Sequence, residues 1–306
     1  MDALFQAAEA DSRVTLVVGD LGYSVVDQFA ARFPNQFLNV GVAEQNMAGV
    51  AAGLALSGQI VFTYSIANFP TFRCLEQVRN DICYHGADVK ITAVGGGFAY
   101  GALGVSHHAT EDLAIMRSLP GMTVIAPGDP TEAARAVPAV IARSGPCYVR
   151  LGKAGEPQVH TGPIDFRIGQ AIRVREGGDL TLITTGGLLA NTMAAAEELS
   201  RQHRLEATVF SMHTLKPLDT DAVVTAARQT AMVVTIEEHS VIGGLGGAVA
   251  EVLAEQDAPR ARLMRIGIPS AFDSRVGTQA YLRERHGLSV DALVGSIAGA
   301  VTAPAI

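Results

Sequence analysis

Apolar residues in the first half of the chain come in short, often β-branched runs, separated by stretches in which apolar positions recur at helical spacing. Thr15–Gly19, Phe37–Asn39, Ile60–Tyr64, Val89–Val94, Thr123–Ala126 and Cys147–Leu151 read as strands. Val25–Phe33, Glu44–Leu56, Phe72–Tyr84 and Thr131–Arg143 read as the helices between them, with Leu75, Val78 and Ile82 marking the apolar side of the third. Strands that alternate with helices of this length imply a mostly parallel sheet with both faces covered, because joining parallel strands requires a crossover.

The rhythm breaks over residues 152–178, where glycines gather with Pro157 and Pro163, so this segment is expected to be a linker with room for a hairpin. It then restarts, with strands expected at Leu180–Thr184, Ala207–Ser211, Met232–Glu237 and Leu263–Ile266, and helices at Leu189–Gln202, Thr220–Arg228 and Ala248–Glu255. The expected fold class is α/β: two three-layer domains with mostly parallel sheets, residues 1–151 and 179–306.

At 306 residues the chain is long enough for two cores, and 48% of it is hydrophobic. Its apolar runs are broken well before the roughly 18 residues of a membrane span, and Met1-Asp2-Ala3-Leu4 has no basic region leading into an apolar core. A cytoplasmic protein with no membrane association is expected. A net charge of −7 without a long charged run argues against nucleic acid as the partner. Cys74, Cys83 and Cys147 have neither CxxC nor metal-type spacing and read as reduced core thiols, so no metal site is expected in this chain.

The chemical anomaly lies in Gly41–Met47, where Glu44 is the single carboxylate between an apolar strand and a helix almost free of charge. An acidic residue in a first helical turn ordinarily sits in solvent and complements the dipole. Here no Lys or Arg occurs between Arg32 and Arg73, and the flanking residues are small or apolar. Burial disfavours the charged carboxylate and the dipole favours it, a balance suited to sharing a proton with a heterocyclic nitrogen. His107 and His108 follow a glycine-rich loop and precede a helix that Thr110 is expected to cap. Gly243–Gly247 reads as a tight turn and close helix packing rather than an anion site, and Glu237, Glu238 and His239 read as solvent-side or interface residues.

Gly41–Met47, Tyr64-Ser65, Ser106–Leu113 and Arg117–Met122, in this order and spacing, resemble the C-terminal half of transketolase and of 1-deoxyxylulose-5-phosphate synthase over essentially the whole chain. The resemblance implies a thiamine diphosphate enzyme in which Glu44 hydrogen-bonds the cofactor's aminopyrimidine ring and stabilises the imino tautomer that generates the ylid. It also implies an aromatic wall for the pyrimidine. The matching segment, Tyr64–Arg73, departs from the Ser-Thr-Phe pattern of transketolase and offers both Phe69 and Phe72. By the same resemblance His107 contacts hydroxyls of the sugar donor, His108 is a second substrate-side candidate, and Arg150 matches an arginine that contacts phosphate. Two departures bear on substrate choice: Leu103 stands where the family has an acidic residue, and glycine near Gly95 stands where transketolase has a phosphate-binding His.

No Gly-Asp-Gly occurs in the chain; Gly128-Asp129-Pro130 and Gly19-Asp20-Leu21 do not fit the family's module for Mg2+ and the diphosphate. The resemblance therefore implies an N-terminal, diphosphate-binding partner subunit that holds Mg2+ and shares the cofactor, in an α2β2 heterotetramer. The activity it implies is transfer of a two-carbon ketol unit from a ketose or 2-oxo acid donor to an aldehyde acceptor. The alternatives are an E1 beta-type subunit of a 2-oxo acid dehydrogenase and a non-catalytic scaffold.

Overall fold

The computed structural model describes residues 1–256 and 261–302. Among the described residues twelve strands form two sheets: β1 Val14–Val18, β2 Phe37–Asn39, β3 Ile60–Ile66, β4 Val89–Val94, β5 Thr123–Ile125, β6 Cys147–Leu151, β7 Ile172–Arg175, β8 Leu180–Thr184, β9 Ala207–Ser211, β10 Thr214–Lys216, β11 Met232–Ser240 and β12 Arg262–Ile268. The first sheet has the order β10-β5-β6-β4-β3-β1-β2 and the second β12-β11-β8-β9-β7. All pairings are parallel except those of the edge strands β10 and β7. The expected pair of α/β units with mostly parallel sheets is present. Strands such as β1 and β8 are buried along their whole length, which is why they read as charge-free runs of apolar and β-branched residues.

Helices cover both sheets: α1 Asp2–Ala10, α2 Asp27–Arg32, α3 Glu44–Leu56, α4 Leu75–Gln77, α5 Asp112–Ser118, α6 Pro130–Ile141, α7 Leu189–His203, α8 Thr220–Gln229, α9 Leu245–Ala254, α10 Gln279–Arg285 and α11 Val290–Thr302. The start of α6 shows how local sequence sets a boundary. Asp129 is its N-cap and accepts from Glu132 N at 2.8 Å, and Pro130 occupies the first turn, where a missing N–H costs nothing.

Helices α1, α10 and α11 add to the expected elements, and three further differences bear on how the chain is put together. The helix expected over Phe72–Tyr84 begins at Phe69 and winds through π turns, Phe69–Arg73 and Val78–Cys83, on either side of α4. Such turns leave no signature in apolar spacing, and they often accompany functional sites. The hairpin expected in 152–178 is instead a single antiparallel edge strand, β7, paired with β9. From beyond that segment, β10 crosses back to pair with β5 in the first sheet. The halves also share a core, in which Met116, Leu119 and Met122 belong to one cluster with Ile183, Leu215, Val233 and Val249. The second half is thus built into the first rather than tethered to it. No helix among the described residues is long and apolar enough to cross a membrane.

Candidate functional site

Glu44 opens α3 after the turn at Gly41, whose φ of +77° favours glycine. The carboxylate is 1% exposed, closed in partly by β1's end: a side chain on Gly19 would start 3.6 Å from Glu44 Cγ. Arg73 Nη1 donates to Oε2 at 2.7 Å. Oε1 is buried and has no partner among the described residues. A buried acceptor left without a donor costs about 1–3 kcal/mol, so such an atom calls for an explanation. Arg73 was missed in the sequence, although it is the first cation after Arg32 and lies in the first turn after the aromatic pair. Its guanidinium also lies over the Phe69 ring, 4.6 Å from the centroid.

Phe69 links this carboxylate to the histidine loop, its ring meeting the His107 imidazole edge-on at 5.2 Å. Phe72, 38% exposed, instead lines a groove of about 420 Å³ together with Phe98, His108, Thr110 and Phe272. The two aromatic candidates are therefore separated: Phe69 sits with Glu44, Arg73 and His107, and Phe72 with His108.

The loop between β4 and α5 is held by Gly95 N and Gly96 N on Leu151 O, and by a two-way backbone bridge between Gly97 and Ala109. Asn68 Nδ2 donates to Ser106 O, which ties the loop to the aromatic segment. His107 Nδ1 lies 3.0 Å from Ser106 Oγ, and burial followed by the nearby His108 pushes its pKa below the ordinary 6.5. His108 is 5% exposed, meets the Phe98 ring at 5.1 Å, and its buried Nε2 has no partner among the described residues. Thr110 does not cap α5, contrary to expectation: Glu111 is the N-cap residue, and the Thr110 hydroxyl donates to the Glu111 carboxylate. The space a residue-95 side chain would need is filled by Tyr100, whose ring comes within 2.1 Å of the position of such a Cβ. Leu103 is exposed.

Behind this loop lies a wall of buried charge. Arg150 Nε donates to Asp112 Oδ2 at 2.9 Å, and its Nη2 to Ala109 O and Glu238 O. Tyr148 OH donates to the same Asp112 oxygen at 2.7 Å. Glu237, Glu238 and His239 are all buried, which corrects their reading as solvent-side residues. Glu237 accepts from Leu245 N and Gly246 N at the start of α9, so an internal carboxylate already occupies the seat that the glycine turn could offer an anion. A side chain on Gly244 would start 2.1 Å from that carboxylate. Burial raises the Glu237 pKa to about 7, against the pull of those two amides. Among the described residues, no group of three or more His, Cys, Asp or Glu is arranged to hold a metal. All three cysteines are buried free thiols, and burial raises Cys74 to about 12 and Cys83 to about 11.

With this geometry, comparisons with known proteins are specific. Residues 1–156 match the family description "Transketolase, pyrimidine binding domain", and residues 169–293 match "Transketolase, C-terminal domain". The chain is 40% identical over 295 residues to the 6-deoxy-6-sulfo-D-fructose transketolase subunit SqwH of Clostridium sp. (strain MSTE9), covering 96% of this chain and 90% of that protein. It is 39% identical over 270 residues to an apulose-4-phosphate transketolase subunit of Phocaeicola vulgatus, covering 88% and 85% respectively. A solved structure described as a split gene transketolase, inactive beta4 tetramer, superposes with a TM-score of 0.88 at 39% identity, covering 98% of this chain and 96% of that one. A 1-deoxy-D-xylulose-5-phosphate synthase, from Desulforudis audaxviator, is 33% identical over 296 residues, and this chain spans 46% of its length.

Proposed function

Because the chain belongs to the transketolase family, we propose that it is the pyrimidine-side subunit of a split, thiamine diphosphate-dependent transketolase of the cytoplasm, with Glu44 activating the cofactor. The reaction proposed is transfer of a two-carbon ketol unit from a ketose or 2-oxo acid donor to an aldehyde acceptor. The observation that carries this reading is the Oε1 of Glu44, buried and without a partner among the described residues. Such an oxygen fits a protonated ring nitrogen, which an aminopyrimidine supplies, and Arg73 leaves it available by taking Oε2. When bound, thiamine diphosphate supplies a carbon nucleophile that adds to the donor carbonyl.

This chain's own residues then have distinct tasks. Glu44 holds the proton shared with the ring nitrogen, while Phe69 and, farther out, Phe72 wall off water. His107 stays neutral at pH 7 because burial and His108 disfavour its cation. In the tautomer in which Nδ1 accepts from Ser106 Oγ, Nε2 carries the proton and can donate to a hydroxyl of the donor. His108 Nε2, buried and without a partner among the described residues, is a second contact for the substrate. Relatives are named for a sulfonated and a phosphorylated sugar, which supports an anionic substrate end here too. For that end Arg150 offers Nη1, its Nε and Nη2 being committed to the wall. Lys153, whose Nζ lies 5.5 Å from the Tyr100 ring centroid beside a cavity of about 600 Å³, is the more open cation.

Without a Gly-Asp-Gly in the chain, Mg2+ and the diphosphate are assigned to an N-terminal partner subunit, as an α2β2 assembly. The solved relative described as an inactive beta4 tetramer supports the need for a second chain. Calorimetric titration of thiamine diphosphate and Mg2+ tests the reading. Binding is expected only when the chain is mixed with a diphosphate-binding subunit, and is expected to weaken strongly in Glu44→Ala. Tight binding to the chain alone, or binding indifferent to Glu44, would overturn it.

A further inference from the structure

Glu238 is the last acidic residue of the buried strand β11, in the second half of the chain, yet its carboxylate faces the histidine loop of the first half. Oε1 accepts from Phe98 N at 2.7 Å and from Gln279 Nε2 at 3.0 Å, and Oε2 accepts from Arg283 Nε at 2.7 Å. The loop is shaped around it. Gly97 has a φ of +64°, and any side chain there would start 2.7 Å from the Glu238 carboxylate. Phe98, whose amide is held, sends its ring between two imidazoles: edge-on to His108 at 5.1 Å and stacked on His286 at 5.0 Å. His286 Nε2 in turn lies 3.0 Å from Asp273 Oδ2.

The same half of the chain grips the loop at further points. Ser240 N donates to Thr110 O at 2.7 Å and Gly277 N to Gly101 O at 3.3 Å, while in the helix that follows the loop Ala114 N donates to His239 Nε2 at 3.2 Å. Apolar packing would exclude water equally well, but it cannot orient a single amide. A charge-assisted bond can, and a buried carboxylate is tolerable because Arg283 pairs with it. We propose that Glu238 is a positioning residue, through which the C-terminal half of the chain holds the conformation of the loop that presents His107 and His108. The inference rests on the reading that this loop meets substrate, and it gives the C-terminal half a part in the reaction although it carries no residue assigned to the chemistry.

The test is hydrogen–deuterium exchange on the full chain, together with kinetics of the enzyme reconstituted with its partner, for Glu238→Gln and the milder Gln279→Ala. Amides of residues 97–110 are expected to exchange about tenfold faster or more in Glu238→Gln, the loss of one charge-assisted bond, and less so in Gln279→Ala, with β8 unchanged. The donor KM should rise by about tenfold, since a displacement of about 1 Å can cost as much as a hundredfold, while thiamine diphosphate affinity stays within about twofold. Unchanged loop exchange in a folded Glu238→Gln protein would overturn the proposal. So would equal deprotection of both sheets with a matching loss of cofactor affinity, the pattern of a purely structural residue. If Glu238→Gln does not fold, unchanged exchange in Gln279→Ala overturns it. A wild-type enzyme that transfers no two-carbon unit would remove the functional reading, and the exchange data alone would then decide whether Glu238 holds the loop.

Discussion

Arg73 and Glu44 share one charge-assisted hydrogen bond, 2.7 Å from Nη1 to Oε2, in which the carboxylate is sealed and the arginine side chain is 49% exposed. The pair is asymmetric in consequence. An exposed arginine contributes little to stability, but it selects which carboxylate oxygen is left for a ligand. Glu44→Gln is expected to lower kcat of the reconstituted enzyme by about 10²- to 10⁴-fold, the range for a positioned acid–base group. Arg73→Met is expected to lower it by about tenfold. Because Arg73 is argued to act through Glu44, the double variant should be no slower than Glu44→Gln. Steady-state kinetics decide this, and losses that multiply would show that the two residues act independently.

The charged wall behind the loop predicts a stability effect far larger than its surface counterparts. Asp112 is fully buried and its Oδ2 receives both Arg150 Nε and Tyr148 OH. In Asp112→Ala the Arg150 guanidinium stays buried with no carboxylate beside that nitrogen, so a loss of about 3–5 kcal/mol is expected. Asp112→Asn keeps the shape and should lose less. Urea denaturation followed by fluorescence or circular dichroism measures both, and a loss under about 1 kcal/mol for the alanine variant would contradict the assignment.

The segment joining the halves contains a pH-sensitive contact. Asp129 accepts from Val159 N and His160 N, and His160 Nε2 lies 2.9 Å from Glu132 Oε1. That hydrogen bond to Glu132 raises the His160 pKa above the ordinary 6.5, burial opposing it. In the window between the unfolded and the raised folded value the native state binds more protons, so the stabilisation is complete below about pH 6.5 and fades as pH rises through the folded value. His213, which feels the same Glu132, has its pKa lowered by burial and contributes the opposite slope. Thermal midpoints at pH 6.0, 7.0 and 8.5 should therefore be compared as differences between wild type and His160→Gln. The variant's deficit is expected to be greatest at pH 6.0 and to shrink at pH 8.5; a constant deficit would contradict the linkage.

Much of this arrangement was legible in the sequence where one physical signal dominated. β4 and β6 fall on their expected bounds because β-branched and apolar residues dominate both strands, even though each carries one buried cation, Lys90 and Arg150. Glu44 stood out because a lone carboxylate in an apolar setting has few explanations. β10 was not legible, since three residues carry no alternation and the strand exists only through its pairing with β5. Glu238 was hidden for a related reason. A charged residue reads as surface unless its partner is known, and Arg283 lies 45 residues away. Arg73 was visible as the first cation after Arg32, but its target was hidden because the turns after β3 are wound as π helix, which brings it back over Phe69 toward Glu44.

The glycine at position 95 is accounted for by Tyr100. Its φ of +85° already disfavours a side chain, and the Tyr100 ring lies 2.1 Å from where Cβ would stand. Two separate costs are therefore expected in Gly95→Ser: left-handed backbone strain of about 1–2 kcal/mol, and a clash that either displaces the tyrosine or distorts the β4 end of the histidine loop. Adding Tyr100→Ala should recover the second cost and leave the first. Chemical denaturation of the two single variants and the double variant forms a cycle that separates them. Because Tyr100 also packs near His107, 6.5 Å between centroids, Gly95→Ser should additionally raise the donor KM. A Gly95→Ser variant as stable as wild type would contradict both costs, and a loss that Tyr100→Ala does not reduce would mean that Tyr100 swings away freely and that the glycine does not depend on the tyrosine's position.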